Sequence, residues 1–465
     1  MPLILPGNVA SALDTGYTVA NSARWGGTDN EYMGKTLGTP SNTKKMTWSF
    51  WTKKTRNEND GHLATVYGDG SNYGTINFTD ANKFQVFQYI SASIQLNLIT
   101  EQKFVDNSAW SHFVIQMDTT QSTASNRCKV WHNGSQITDW ATETYWAQNT
   151  AIKLNEASAT LRINAVTTGS VYHGYVAEFI MCDGQTYQAS DFGEYNSSSP
   201  TIWQPKDPSG LTFGTNGFWL DFEASGNLGN DANGGTDLTE TNFAATDQST
   251  DTCTLNYPTF NPLDNTYGQG TFSEGNLKIV TDSSLYAVNT STFHLTKGKW
   301  HFEVRVGDSN QKNCIGISGN SGTFSGDSTL AFGDSANEYS YTASGELRHS
   351  GDSTGSWGSS FTDGDIIGCS FDLDNNEIFF YKNGTIQNSG SAFSITDPTS
   401  TSSGGYFVAG GDFASDNTST MEYNFGSPTY SISSGAADAN GYGNFEHAPK
   451  SGHYAINSAN LAEFG

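Results

Sequence analysis

The stretch that most constrains the fold is Gly364–Gly384, GDIIGCSFDLDNNEIFFYKNG. Ile367, Cys369, Phe371 and Leu373 alternate with Ile366, Gly368, Ser370 and Asp372, which predicts a strand with one buried face. Asn375-Asn376 supplies two residues that tolerate positive φ, as a tight hairpin turn requires. Glu377 to Lys382 then returns, with Ile378 and Phe380 on one face and Phe379 and Tyr381 on the other. Asn383-Gly384 turns the chain again. The stretch carries no catalytic group and reads as scaffold.

The same grammar runs through the first half. Met46 to Trp51, Phe84 to Tyr89, Ile94 to Ile99 and Trp110 to Asp118 all read as strands. Cys128 to His132 ends in a second Asn-Gly turn at Asn133-Gly134, and Leu161 to Ala165 and Tyr175 to Cys182 complete the series. Only Gln188 to Tyr195 suggests a short helix. Charged residues make up 15% of the 465 and aromatics 13%, the balance of strands joined by polar, uncharged loops. The fold class is therefore all-β, with two β-sandwich domains.

The net charge of −25 argues against nucleic acid as a partner and disfavours anionic membrane surfaces, leaving uncharged glycans and neutral protein surfaces. No apolar run reaches the roughly 20 residues of a membrane helix, so membrane insertion is not expected. The opening Met1 to Pro6 lacks the basic start of a secretory signal, which points to another delivery route. Cys128, Cys182, Cys253, Cys314 and Cys369 are odd in number and widely spaced, with no zinc spacing, and read as reduced thiols.

Residues Gly364–Gly384 resemble the most diagnostic segment of SPRY domains, a Gly-Asp-hydrophobic-Ile-Gly strand leading to an Asp-rich hairpin and Asn-Gly. Gly298 to Val304, Ile315 to Ser318 and Asn424-Phe-Gly426 match further strands of that fold in order. Trp48 to Trp51, Trp110 to Asp118, Lys129 to Gly134 and Gly174 to Glu178 resemble a concanavalin A-like, laminin-G-type jelly roll. Gly214 to Phe222, Leu228 to Asp231, Ala245 to Thr252 and Thr259 to Asp264 are similar to a family of marine bacteriophage proteins joining these two modules. Asn440 to Phe445 and 457–465 fit the same family.

The resemblance implies a virion protein, assembled in the host bacterial cytoplasm and belonging to a fibre or other host-contacting appendage. Its implied partners are other virion proteins and a host surface glycan or receptor. A homo-trimer is the expected oligomer, though no heptad run drives one. The expected domains are an anchor segment at 1–22, a concanavalin A-like domain at 23–225 and a linker at 226–263. A SPRY-like domain at 264–428 and a tail at 429–465 follow.

Catalysis finds no support in the motifs. Concanavalin-like hydrolases need converging carboxylates, and Asp221-Phe-Glu223, preceded by Trp219, lacks the full set. His112 and His301 lie in strands, where a hydrogen-bonded structural role is expected. Asp372, Asp374 and Glu377 lack the spacing of a calcium loop and read as turn chemistry. No cofactor is expected; calcium stays open, with Asp69, Asp80 and Asp118 available but not selected by spacing.

For glycan binding the useful groups are exposed aromatics flanked by amides. The candidates are Trp140, Tyr145 and Trp146 in the first domain and Tyr339, Tyr341 and Trp357 in the second, with packing as the competing reading, favoured at the sandwich rim for Trp140 or Tyr145 and in the core for Trp357. Trp48, Trp51, Trp110, Trp131 and Trp300 belong to packing. The expected function is thus non-enzymatic host recognition. The alternatives are a capsid or tail decoration protein without a specific ligand and, behind both, a polysaccharide depolymerase.

Overall fold

The computed structural model describes residues 16–26, 31–57, 60–165, 171–265, 270–281, 286–308, 312–320, 331–413 and 418–465. The chain divides into two compact units, of which the first is Leu13–Thr254 and the second includes Leu255–Gly465. Both are built almost wholly of antiparallel strands. The expected anchor segment falls largely at 1–15, outside the described residues.

The strands of the first unit, in chain order, begin with β1 (Ser22–Trp25), β2 (Tyr32–Thr36), β3 (Lys45–Lys54) and β4 (Gly61–Asp69). β5 (Asn72–Phe78), β6 (Lys83–Ile90), β7 (Ser93–Lys103) and β8 (Ser111–Asp118) follow. Then come β9 (Cys128–His132), β10 (Ser135–Gln136), β11 (Trp140–Thr144), β12 (Thr160–Ile163) and β13 (Gly174–Asp183). One sheet runs β10-β9-β8-β3-β13-β1 and the other β11-β7-β6-β5-β4-β12-β2. Strict alternation in β6 and β7 sends Phe84, Val86, Leu96 and Leu98 inward, where they are fully buried. Phe84 stacks on Phe113 at 4.4 Å, and Trp48 packs edge-on to Phe179 at 5.8 Å.

The other face of the first sheet is also covered. Trp51, Trp110, Trp131 and Trp203 form a second apolar layer there. The strand Trp203–Pro205 and helix α1 (Ala189–Phe192), where the short helix was expected, contribute to that cover. At the Asn133-Gly134 turn both residues have positive φ, and a Cβ on Gly134 would lie 2.4 Å from the Trp203 ring.

Residues 226–263 are not the expected linker. Thr239–Thr241 pairs with β2 and Gln248–Ser249 with β1, so residues 226–254 close both sheets of the first unit, and the remainder of the stretch belongs to the second unit. Its polar composition resembled a linker because short edge strands contribute few apolar side chains.

In the second unit Ile366–Asp372 pairs with Glu377–Lys382 from Ile367↔Lys382 to Asp372↔Glu377. The hairpin forms as predicted, but its turn takes the four residues 373–376 instead of a tight Asn375-Asn376 pair, and of those two only Asn376 has positive φ, at 60°. Asp372 accepts from the backbone N–H of Asp374 and Asn375, both at 3.0 Å, and pairs with Lys299 Nζ at 2.8 Å. The acidic residue is turn chemistry, as read. One expectation differs: Ile366–Asp372 is buried on both faces.

The residues expected as a tail supply the reason. Tyr454-Ala455 pairs in parallel with Lys299–Asp308, next to Ile366–Asp372, and Phe445 packs edge-on to His301 at 5.0 Å. Helix α2 (Ser458–Phe464), N-capped by Asn457, adds Leu461 to the core. Residues 429–465 are part of the second sandwich. No helix among the described residues is long and apolar enough to cross a membrane.

Candidate ligand-binding face

Of the six aromatic residues singled out in the sequence, Trp146, Tyr339 and Tyr341 are buried, and Trp140, Tyr145 and Trp357 are partly buried. Trp146 is only 1% exposed and sits in the first core, not on a loop surface. Trp140 lies in β11 and Tyr145 directly follows it, both packed against that core, with the Tyr145 hydroxyl donating to Glu143 Oε1 at 2.9 Å. Tyr339 and Tyr341 belong to the strand Glu338–Thr342, paired on both sides and therefore buried. Tyr339 shares a hydrogen bond with Thr396 Oγ1 at 2.9 Å, and the Tyr341 hydroxyl donates to the Ser359 carbonyl. Trp357 is half-buried and leans edge-on against Tyr341 at 5.7 Å. These residues stabilise the sandwiches; Trp146, Tyr339 and Tyr341 have no face free for a ligand.

A continuous row of partly exposed aromatics lies elsewhere. Tyr67, Tyr73, Tyr89 and Ile94 stand directly opposite one another across β4, β5, β6 and β7. Ring centroids are 6.1 Å apart for Tyr67–Tyr73 and 5.8 Å for Tyr73–Tyr89, and Phe87 joins at 5.5 Å from Tyr73. The row points away from the core because the inward positions of these strands are Val66, Ile76, Val86 and Leu98. Tyr67 is 36% exposed and Ile94 48%. In the next rows Gln85 donates from Nε2 to Asn97 Oδ1 at 2.9 Å and Asn77 donates to Asp60 at 2.8 Å. Flat aromatic faces bordered by amides can stack on the C–H face of a sugar ring and hydrogen-bond its hydroxyls.

Sequence reasoning missed this row because it looked for ligand contacts in loops and assigned the strand tryptophans to packing. Periodicity held the signal: Tyr89 and Phe87 occupy the outward phase of Phe84–Tyr89, opposite to Phe84 and Val86.

Two buried groups of catalytic type also have structural roles. His112 accepts from Trp203 Nε1 at 2.9 Å on Nδ1 and meets Ser49 Oγ at 2.8 Å through Nε2; burial pushes its pKa down to about 3, so it is neutral. Glu178 sits at a β-bulge in β13 with φ 47. Its carboxyl accepts from Tyr17 Oη at 3.1 Å and Trp219 Nε1 at 2.9 Å, and burial raises its pKa to about 8. Asp221 and Glu223 add to that rise, but Glu178 is 5% exposed. Among the described residues, no group of three or more His, Cys, Asp or Glu is placed to hold a metal ion. Asp69 and Asp118 instead cap their own turns, through the N–H of Ser71 and of Thr120. Cys128, Cys182, Cys314 and Cys369 are buried free thiols, and Cys253 is half-buried.

Residues 299–405 match the SPRY domain family. None of the curated proteins compared matches the chain in sequence. Among solved structures, the SPRY domain of human HERC1 is 18% identical with a TM-score of 0.28, covering 35% of this chain and 96% of its own. A Bacteroides ovatus protein named for carbohydrate binding is 11% identical with a TM-score of 0.30, over 48% of this chain and 59% of that one. A heptameric pentraxin from Limulus polyphemus is 11% identical with a TM-score of 0.26, over 36% and 77%. What the fold and the match together define is a protein of two β-sandwiches, the second carrying a SPRY domain.

Proposed function

We propose that this chain is a non-enzymatic recognition protein whose first sandwich binds a surface glycan through the tyrosine row of β4–β7. The observation that carries the reading is the alignment of Tyr67, Tyr73 and Tyr89 across three adjacent strands, partly exposed and bordered by amides. Soluble domains seldom leave such a patch open without a use for it. The net charge of −25 favours neutral over anionic ligands.

The setting we propose is a phage virion, in a host-contacting fibre or appendage, with other virion proteins as partners. It is supported by the sequence resemblance over 214–264 and at the C-terminal end. A glycan array probed with the full chain, together with cryo-EM location of the chain in the virion, tests both parts. Binding to host-envelope glycans and a distal position are expected. A chain arrayed on the shell that binds no glycan would favour decoration instead.

A further inference from the structure

We propose that the first unit holds a second ligand site, for a neutral saccharide, in the groove between the β6–β7 hairpin and the strap 150–157. The cavity measures about 400 Å³, the size of small-molecule sites. Its walls are fixed before any ligand arrives. Gln88 Nε2 donates to the Ala151 carbonyl at 3.1 Å and Lys153 N–H donates to Gln88 Oε1 at 2.8 Å, riveting the strap to the sheet.

The hairpin wall differs from the two Asn-Gly turns of the chain. Ser91 and Ala92 adopt φ 50 and 58, a conformation given to Asn-Gly at residues 133–134 and 383–384. Left-handed serine and alanine are strained and persist only where neighbours hold them. Here Ser91 N–H donates to Asn72 Oδ1 at 3.1 Å and Ala92 N–H to the Ser71 carbonyl at 3.4 Å. A register shift follows in β7, where Gln88 faces Leu96 but Tyr89 faces Ile94. The bulge leaves Ser93 and Gln95 both lining the groove while Ile94 joins the tyrosine row.

The lining chemistry selects the ligand class. Thr150 and Asn155 are engaged, donating to the Ala147 carbonyl and to Asp183 Oδ1. The side chains of Thr43, Ser91, Ser93 and Gln95 make no hydrogen bond to other described residues and line the same cavity. Glu156 pairs with Lys153 through Oε2, neutralising that cation and leaving Oε1 to accept. Hydroxyls, an amide and one carboxylate oxygen thus alternate with the apolar surface of Ile90 and Ile152. Such a lining complements a C–H framework bearing hydroxyls and no charge; an anionic sugar would face Glu156 with its nearest cation already used. The choice of saccharide rests on the carbohydrate reading of this unit, whereas the groove itself is separate from the tyrosine row.

The full chain, labelled at isoleucine methyls, is titrated with maltose, cellobiose and lactose, and with glucuronate as the anionic control. Shifts at Ile90 and Ile152 are expected with at least one neutral disaccharide and not with glucuronate. Gln95→Ala and the groove-filling Ser93→Tyr should each weaken binding by about tenfold or more at unchanged melting temperature, and Tyr73→Ala should not. No shift at either methyl with any of the three disaccharides, a preference for glucuronate, or undiminished binding in Ser93→Tyr overturns the groove site. Saccharide binding lost in Tyr73→Ala but intact in both groove variants also overturns it, while leaving the tyrosine row as a site. Groove shifts in a protein whose tyrosine row binds nothing would uphold the groove and sink the row.

Discussion

Tyr73 of β5 stands directly opposite Tyr89 of β6 on the outward face of the second sheet, their ring centroids 5.8 Å apart. The pair is the centre of a row that Tyr67 and Ile94 extend to either side. Aromatic pairs facing each other across strands stabilise a sheet modestly, by about 0.2–1 kcal/mol. Replacing one of these tyrosines should therefore cost little folding free energy, which makes the row accessible to mutational test.

Trp146 lends itself to the opposite experiment. It is a core residue, so Trp146→Ala should destabilise the first unit by about 3–5 kcal/mol through the cavity it leaves. At a temperature where the variant remains folded, glycan binding should equal that of the wild type. Chemical denaturation and a binding titration on the same preparation check both halves; an unchanged midpoint with lost binding would restore Trp146 as a contact.

Stability should fall at both ends of the pH scale, for two different reasons. Burial raises Glu178 from 4.5 to about 8, so the folded first unit holds that proton more tightly than the unfolded chain. Its contribution is complete below about pH 4.5 and is lost as pH climbs to about 8. His112 is lowered from 6.5 to about 3, so its contribution is present above pH 6.5 and lost as pH falls towards 3. Denaturation midpoints of the first unit measured from pH 4 to 9 should decline on the alkaline side, and Glu178→Gln should flatten that decline. An identical alkaline decline in Glu178→Gln would remove Glu178 as its cause.

Deleting residues 429–465 should abolish folding of the second unit. Phe445, Ile456 and Leu461 are core residues, each worth about 1.5–3 kcal/mol of burial. Glu303 also loses the N–H donors of Glu446 and His447, at 2.7 and 2.8 Å, and would be left buried without them. The total approaches the roughly 5–15 kcal/mol that holds a domain together. Calorimetry should show the transition of the first unit alone; two intact transitions would return these residues to the status of a tail.

How much of this was legible in the sequence follows from the range over which each signal acts. The strands of the Asp372 hairpin and the Asn133-Gly134 turn are local, and they were read because period and turn chemistry decide them, although the first turn takes four residues where two were expected. The fate of 226–254 and of 429–465 depends on pairing with strands more than a hundred residues away, and composition does not report a distant partner. The tyrosine row lay between these cases. Its phase in β6 was legible, but its continuity needed the registers of β4, β5 and β7, which no single strand encodes. Trp146 misled because a polar neighbourhood, Gln148 and Asn149 included, surrounds a side chain that turns inward.

The central claim is tested most directly by comparing the wild type with a Tyr73→Ala/Tyr89→Ala double variant for binding to glycans of the host envelope. Binding by the wild type that weakens by about tenfold or more in the variant, at a melting temperature within a few degrees, is the predicted result. Equal binding by both proteins, or none by the wild type, would contradict it.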